Sequence, residues 1–398
     1  MSSIVNDSEM RGADFTVVIS MQDEKGALNA DPEFNMVRRT EGKNSKTVTY
    51  MEDPSVNGMF QGKEQIKESE SFSMELQSVV TKQSVNWLCQ AIHSDMEQLG
   101  VTGATTIAFT ATGLTSTADA FADWTVGQGF WVTASSNVLN NIFYVVREKT
   151  SDGVIVTTPT PPATTAAGGA VTIISNVYKN RDAPTYNSVQ TRAVDKSQGS
   201  GFNYYTQIDG VINQHDIEIP ESGLWSSTAN FVFESEYANN PLPIPGQTYA
   251  PPAQDRAITS ARNATPGIKY FYIDNLRQTC QIKNFSFSVN NNYQEDAFAA
   301  CPTSYYRGDF QVSGSFVARA LKSNPFVWRD KCWNSTRFAI AFLCTHGNGE
   351  ETYVVFHRNV ATEVQQPDGS GTVAHSEVTF SSEELMDIQT TVTVCRNW

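Results

Sequence analysis

The sequence predicts a mainly β protein: two tandem antiparallel β-sandwich or half-barrel domains, each with one flanking helix, plus a small inserted β-module and an extended N-terminal arm. Three observations carry this. Apolar and polar residues alternate at period two from one end of the chain to the other, as half-buried antiparallel strands require. Helical spacing is confined to two short stretches. Breaker-rich segments divide the strands into groups.

Residues 1–48 are polar, charged and irregular apart from one apolar patch at Phe15–Ile19, and read as an arm that orders on assembly. Residues 49–112 form the first part of the first domain. There Phe72, Met74 and Leu76 alternate with Ser71, Ser73 and Glu75, a strand with one wet face. Val85, Leu88, Cys89, Ile92, Met96 and Leu99 recur at helical spacing and predict a helix from about Ser84 to Leu99. Residues 113–175 read as the inserted module, with short strands at Trp131–Ala134, Ile142–Val146, Val154–Thr157 and Val171–Ile174. Its Thr157–Ala170 stretch holds Pro159, Pro161 and Pro162 and suits a surface loop. Residues 176–240 complete the first domain, and the Pro-rich segment 241–268 is the expected interdomain linker.

The second domain spans 269–398. Ile282, Phe285, Phe287 and Val289 flank Asn284, Ser286 and Ser288 as a strand. Further strands are expected at Arg337–Cys344, Thr352–His357, Glu377–Phe380 and Thr390–Cys395, separated by turn signals such as Asp368-Gly369. Asn324 before Pro325 is a helix start, with Phe326, Trp328 and Trp333 on the apolar side. A weak internal repeat sets Ile217, Ile219, Phe231 and Phe233 beside Phe285, Phe287, Phe310 and Phe316.

A chain of 398 residues with 40% hydrophobic composition fills more than one core. Its 42 acidic residues outnumber 28 basic ones, and the net charge of −14 disfavours a tight grip on nucleic acid or an anionic membrane. The opening MSSIVNDSEMRGADF lacks the pattern of a secretory signal, and the apolar run Phe338–Cys344 is too short to span a bilayer as a helix, so a cytoplasmic origin is expected. The six cysteines (Cys89, Cys280, Cys301, Cys332, Cys344, Cys395) include no close pair, and are expected to be free thiols, mostly buried.

Motifs for catalysis fare poorly. Gly314-Ser315 lies inside an expected strand and lacks a nucleophile elbow. Cys344 and His346, with Cys332 or His357, have a spacing that arises by chance more often than as a metal site. The pairs Glu350-Glu351 and Glu383-Glu384 sit beside turns or at a helix start, where Ser381 and Glu384 form a capping box. Gly127-Gln128-Gly129 lacks a third glycine and a following helix. Aromatic residues, 11% of the chain, alternate with Ser, Asn and acids, a pattern for packing and not for stacking nucleic-acid bases. No enzyme activity, catalytic site, cofactor or metal is expected.

The ordered pieces IKNFSFSVNNN (282–292), Tyr305 to Gly308, FQVSGSFVARAL (310–321), FAIAF, ETYVVFHRNVA and the closing GTVAHSEVTFSSEELMDIQTTVTVCRNW resemble the major tail tube proteins of long-tailed, siphovirus-type bacteriophages. Ala122, Val126, Gly127, Gln128, Asn140-Asn141 and Tyr144-Val145-Val146 resemble the small β-module inserted in such proteins, and YYTQIDGVINQHDIEI the strand pair that follows it. The resemblance covers most of residues 50–398 and rests on the order of the pieces. It implies a structural subunit that joins its own copies into rings, three chains per ring with pseudo-sixfold symmetry, stacked into a tube through which DNA passes without specific binding. It also implies a tape measure protein and a tail terminator as partners, a place in the virion tail, assembly in the host bacterial cytoplasm, and no membrane. Another virion β-protein, such as a tail terminator or capsid decoration protein, or a receptor-binding tail protein, is the alternative. In this family an arm and a loop reach the next ring. Here Phe15, Val17 and Ile19 of the arm and Met51, Val56, Met59 and Phe60 of the apolar cluster that also holds Pro54 are the candidate inter-ring contacts.

Overall fold

Strand-forming alternation is realised along almost the whole chain in the computed structural model, which describes residues 15–52, 65–94, 96–182, 184–195, 201–250, 255–260, 266–278, 282–296, 304–320, 324–365, 374–387 and 389–398. Strands β1 (Phe15–Met21), β2 (Glu33–Met36), β3 (Glu41–Glu52) and β4 (Gln65–Val79) precede helix α1 (Lys82–Ala91) and β5 (Met96–Gln98). Then come β6 (Val101–Ala104), β7 (Ile107–Phe109), β8 (Gly113–Ser116), β9 (Gly129–Ala134), β10 (Phe143–Ser151), β11 (Val154–Thr158) and β12 (Val171–Ile174). The chain continues through β13 (Asn176–Lys179), β14 (Asn187–Asp195), β15 (Gly201–Ile219), β16 (Ser226–Phe233), β17 (Ser235–Glu236) and β18 (Thr248–Ala250). Next are β19 (Gly267–Ile273), β20 (Leu276–Gln278), β21 (Ile282–Asn290), the small hairpin β22 (Gln294–Asp296) and β23 (Ser304–Tyr306), and β24 (Gln311–Arg319). Helix α2 (Val327–Trp333), β25 (Phe338–Gly347), β26 (Glu350–Gln365), β27 (His375–Glu383) and β28 (Val392–Arg396) close the sequence of elements.

Among the described residues nineteen strands form one hydrogen-bonded system. Its central run is β3-β4-β16-β15-β21-β24-β27-β26, every neighbour antiparallel. Two long strands leave this run and enter a second layer. The first half of β15 pairs with β14, which pairs with β1 and through it β2. The first half of β26 pairs with β25 and β28, and these extend to β19 and β20 on one side and to β13 and β5 on the other. Both long strands carry a β-bulge, between Ile212 and Gln214 and between Ala361 and Glu363. A bulge bends its strand and increases the local twist, which suits a strand shared between layers.

The main core lies between the layers. Phe72, Met74, Leu76, Phe231, Phe285, Phe287, Phe316 and Phe380 point into it from the central run, and Val17, Ile19, Val189, Phe342, Val354 and Val394 from the second layer. Each large side chain withdrawn from water contributes about 1.5–3 kcal/mol. Gly314 is required by this packing, because a Cβ there would stand 2.6 Å from the Phe380 ring and 2.4 Å from the Ser286 carbonyl.

Strands β6 to β12 form a separate seven-stranded sheet with its own core around Phe121, Trp124, Phe130 and Tyr144. The expected module strands are present, and the sheet starts earlier than expected, at Val101. It packs on the second layer through Trp131 and Val145, which meet Tyr272, Leu343, Tyr353 and Val355.

Several expectations change. The part of the expected arm from Phe15 onward is woven into the main sheet as β1, β2 and β3, because Val17 and Ile19 find a core to enter. Helix α1 starts earlier and ends earlier than its apolar spacing suggests. Thr81 caps it with Ser84 in a reciprocal box, and His93 at φ 51° turns the chain, so that Met96 belongs to β5. The Pro-rich segment 241–268 contributes β18, paired in parallel with β2, and buries Ile244 and Ile258. Ser381 lies within β27 and caps no helix. The repeat is real in topology but aligns differently. Strand order β1-β14-β15-β16-β4-β3 recurs as β19-β25-β26-β27-β24-β21, so β21 and β24 correspond to β3 and β4, not to β15 and β16.

Candidate assembly surface

The central run has one apolar and one polar face, as strict alternation dictates. Opposite the core, its strands present Ser73, Glu75, Gln77, Gln214, Asp216, Glu218, Thr228, Ser286, Ser288, Ser313, Ser315, Glu377 and Thr379, none of them buried. This face is hydroxyl- and amide-rich, and its central charges are carboxylates. Many of its polar groups satisfy one another. The Gln214 amide donates to both Asp216 oxygens at 3.0 and 2.9 Å, Ser226 Oγ to Glu218 at 3.3 Å, and Ser286 Oγ lies 3.0 Å from Ser315 Oγ. A shallow depression of about 610 Å³ runs across it, lined by Asp216, Glu218, Ser288, Ser315 and Glu377 among others.

The ends of the run are edges. Strand β3 pairs with β4 along Glu41–Glu52, and among the described residues no strand pairs with its other side. At the far end β26 pairs with β27 over Arg358–Gln365, while β25 stops at Asn359. From Val360 to Gln365 the opposite side of β26 therefore has no strand partner among the described residues. Unpaired backbone donors and acceptors of this kind are templates for another strand.

Groups that suggested chemistry are held structurally. His215, fully buried, lies 2.9 Å from Ser227 Oγ, and burial lowers its pKa to about 3. His346 and His357 contact Thr352 and Thr393 at 2.8 and 2.7 Å, and burial lowers them to about 3 and about 4. Burial pushes the Cys344 thiol up to about 12, and its sulfur faces the Thr352 carbonyl. Cys89, Cys332, Cys344 and Cys395 are free thiols, while Cys280 and Cys301 lie outside the described residues. Among the described residues no group of three or more His, Cys, Asp or Glu side chains could hold a metal ion, and no helix is long and apolar enough to cross a membrane. Glu351 is buried and engaged by Trp131 and Lys269, and Glu383 is paired with Arg337 and Arg358.

The candidate inter-ring residues separate. Val17 and Ile19 are buried in the chain's own core, whereas Phe15 remains at the surface. Met51 lies on β3, and Val56, Met59 and Phe60 lie outside the described residues. The two open edges are not singled out in the sequence, since the polar pattern of an edge strand also reads as an irregular segment.

No curated protein matches the chain. A family model described as "Phage tail tube protein" matches residues 90–382, which runs from the end of α1 through the seven-stranded sheet, β15, β16 and most of the second repeat. The chain therefore belongs to the phage tail tube protein family and has a structural role in the virion tail.

Proposed function

We propose that the chain assembles with copies of itself into a ring of three, that each ring presents six pseudo-equivalent units around a lumen, and that stacked rings form the conduit for DNA ejection in a siphovirus-type tail. The internal repeat carries this reading, because one chain already holds two copies of the same strand order side by side. The polar face of the central run lines the lumen. Carboxylates such as Glu75, Asp216, Glu218 and Glu377 repel phosphate, so DNA slides instead of binding. The seven-stranded sheet, packed on the layer away from that face, decorates the outside. The tape measure protein and tail terminator act at the lumen and at the tube end, assembly takes place in the host cytoplasm, and the subunit has no enzymatic step to perform. Surface residues near Phe15, together with Met51, Val56, Met59 and Phe60, brace one ring to the next.

Negative-stain electron microscopy of the purified chain at rising concentration tests this. Stacked tubes with a central channel are expected. A stable single ring that never stacks points to a terminator instead, and a species that stays monomeric overturns the reading.

A further inference from the structure

We propose that the junction between the two halves of one chain is the template for the junction between chains: the open side of β26 in one copy takes up the open side of β3 in a second copy, in the register that β15 uses for β21. This rests on the tube reading and specifies its ring contact.

Residue correspondence between the repeats follows from their hydrogen-bonded registers. In the first repeat the bulge of β15 lies between Ile212, opposite Phe231, and Gln214, opposite Asn230. In the second, the bulge of β26 lies between Ala361, opposite Phe380, and Glu363, opposite Thr379. Phe231 and Phe380 are both buried in the main core, so they anchor the alignment. Gln214 then corresponds to Glu363 and Asp216 to Gln365. Phe231 faces Met74, which faces Asn44, while Phe380 faces Gly314, which faces Phe287. Asn44 therefore corresponds to Phe287, Ser45 to Ser288 and Thr47 to Asn290.

Inside the chain, β15 uses the side opposite β16 to pair with β21, setting Gln214 against Asn290 and Asp216 against Ser288. The same side of β26 is the one left open beyond Asn359, and the strand corresponding to β21 is β3, also open. Carrying the register across predicts Glu363 opposite Thr47 and Gln365 opposite Ser45 of the neighbouring copy. Glu363, Gln365, Ser45 and Thr47 are all exposed in the single chain. Repeating this contact leaves neither edge open once the ring closes, which removes the aggregation hazard of unpaired strands and stops growth at a closed symmetric ring.

Engineered cysteines test the register. Directly opposed residues have Cβ atoms about 4.5–5.5 Å apart, within the reach of a disulfide after small adjustment. In the doubly substituted Ser45→Cys/Gln365→Cys chain, oxidation of assembled tubes with copper–phenanthroline is expected to convert monomer into covalent dimers and closed trimers on non-reducing gels. Yield is expected at least tenfold above the wild type and either single variant. The off-register pair Lys43→Cys/Glu363→Cys, displaced by roughly 14 Å along the strand, is expected to stay at background. Hydrogen exchange of the unsubstituted chain supplies the second readout: amides of β3 and of residues 360–365 are expected to gain protection on assembly. Tubes that form without 45–365 links and without protection at either edge overturn this contact while leaving the tube reading intact. Equal linking by the 43–363 pair overturns the register. Failure of the wild type to form rings or tubes overturns the tube reading and this one with it.

Discussion

Ile217 of β15 lies directly opposite Phe287 of β21, and this pairing joins the two repeats into one sheet. Phe287 is buried and meets Phe356 edge-on at 4.9 Å between ring centroids. The two repeats therefore share a core, and unfolding of one exposes the other.

Truncating Phe287 tests that coupling. Phe287→Ala removes the ring from both repeats and is expected to cost about 3–5 kcal/mol. Ser313→Ala on the exposed polar face is expected to stay within about 0.5 kcal/mol. Urea unfolding followed by tryptophan fluorescence compares them, and a Phe287→Ala cost below about 1 kcal/mol contradicts the shared core.

The buried histidines make stability depend on pH. Burial lowers His93, His215 and His346 to about 3 and His357 to about 4. Unfolded imidazoles protonate near an ordinary pKa of about 6.5, which the folded chain refuses to do. Their stabilisation is thus complete above that pH and is lost as pH falls toward 3–4. Each contributes a limiting slope of about 1.4 kcal/mol per pH unit. Urea midpoints measured at pH 7 and pH 5 are expected to fall for the wild type, and to fall less for His215→Gln, which lacks one such proton site.

Docking of the seven-stranded sheet depends on Trp131, whose Nε1 donates to Glu351 Oε2 at 2.7 Å. Glu351 is buried, and Lys269 balances its charge. Trp131→Phe removes the donor while keeping an aromatic ring, and is expected to cost about 1–3 kcal/mol. In a double-mutant cycle with Glu351→Gln the two changes are expected to be non-additive by at least about 0.5 kcal/mol, because they share one contact.

What was legible in the sequence was whatever alternates with one clean face. Phe285, Phe287 and Val289 read as a strand and are one, and the module strands fall within a few residues of expectation. The helix prediction overran because Met96 and Leu99 continue the apolar spacing beyond the turn at His93, and a positive φ leaves no periodic signal. The first part of β3, up to Val48, reads as arm because Asn44, Lys46 and their neighbours are polar on both faces, the pattern of an edge. The sheet change of β15 and β26 is hidden for a similar reason: the bulges at Asn213 and Thr362 interrupt the alternation that reveals a strand. Tail tube membership was legible through the order of its pieces, whereas the ring contact is a relation between backbone edges that emerges only once the strands are paired.

The central claim is that three chains close a ring by repeating an internal junction. Cryo-electron microscopy of assembled tubes, with the chains traced in one ring, measures it most directly. The account predicts three chains per ring, six pseudo-equivalent units around the lumen, the face bearing Glu75, Asp216, Glu218 and Glu377 turned inward, and β3 of each copy hydrogen-bonded to β26 of the next. A ring of six chains, or one in which β3 remains an open edge, contradicts it.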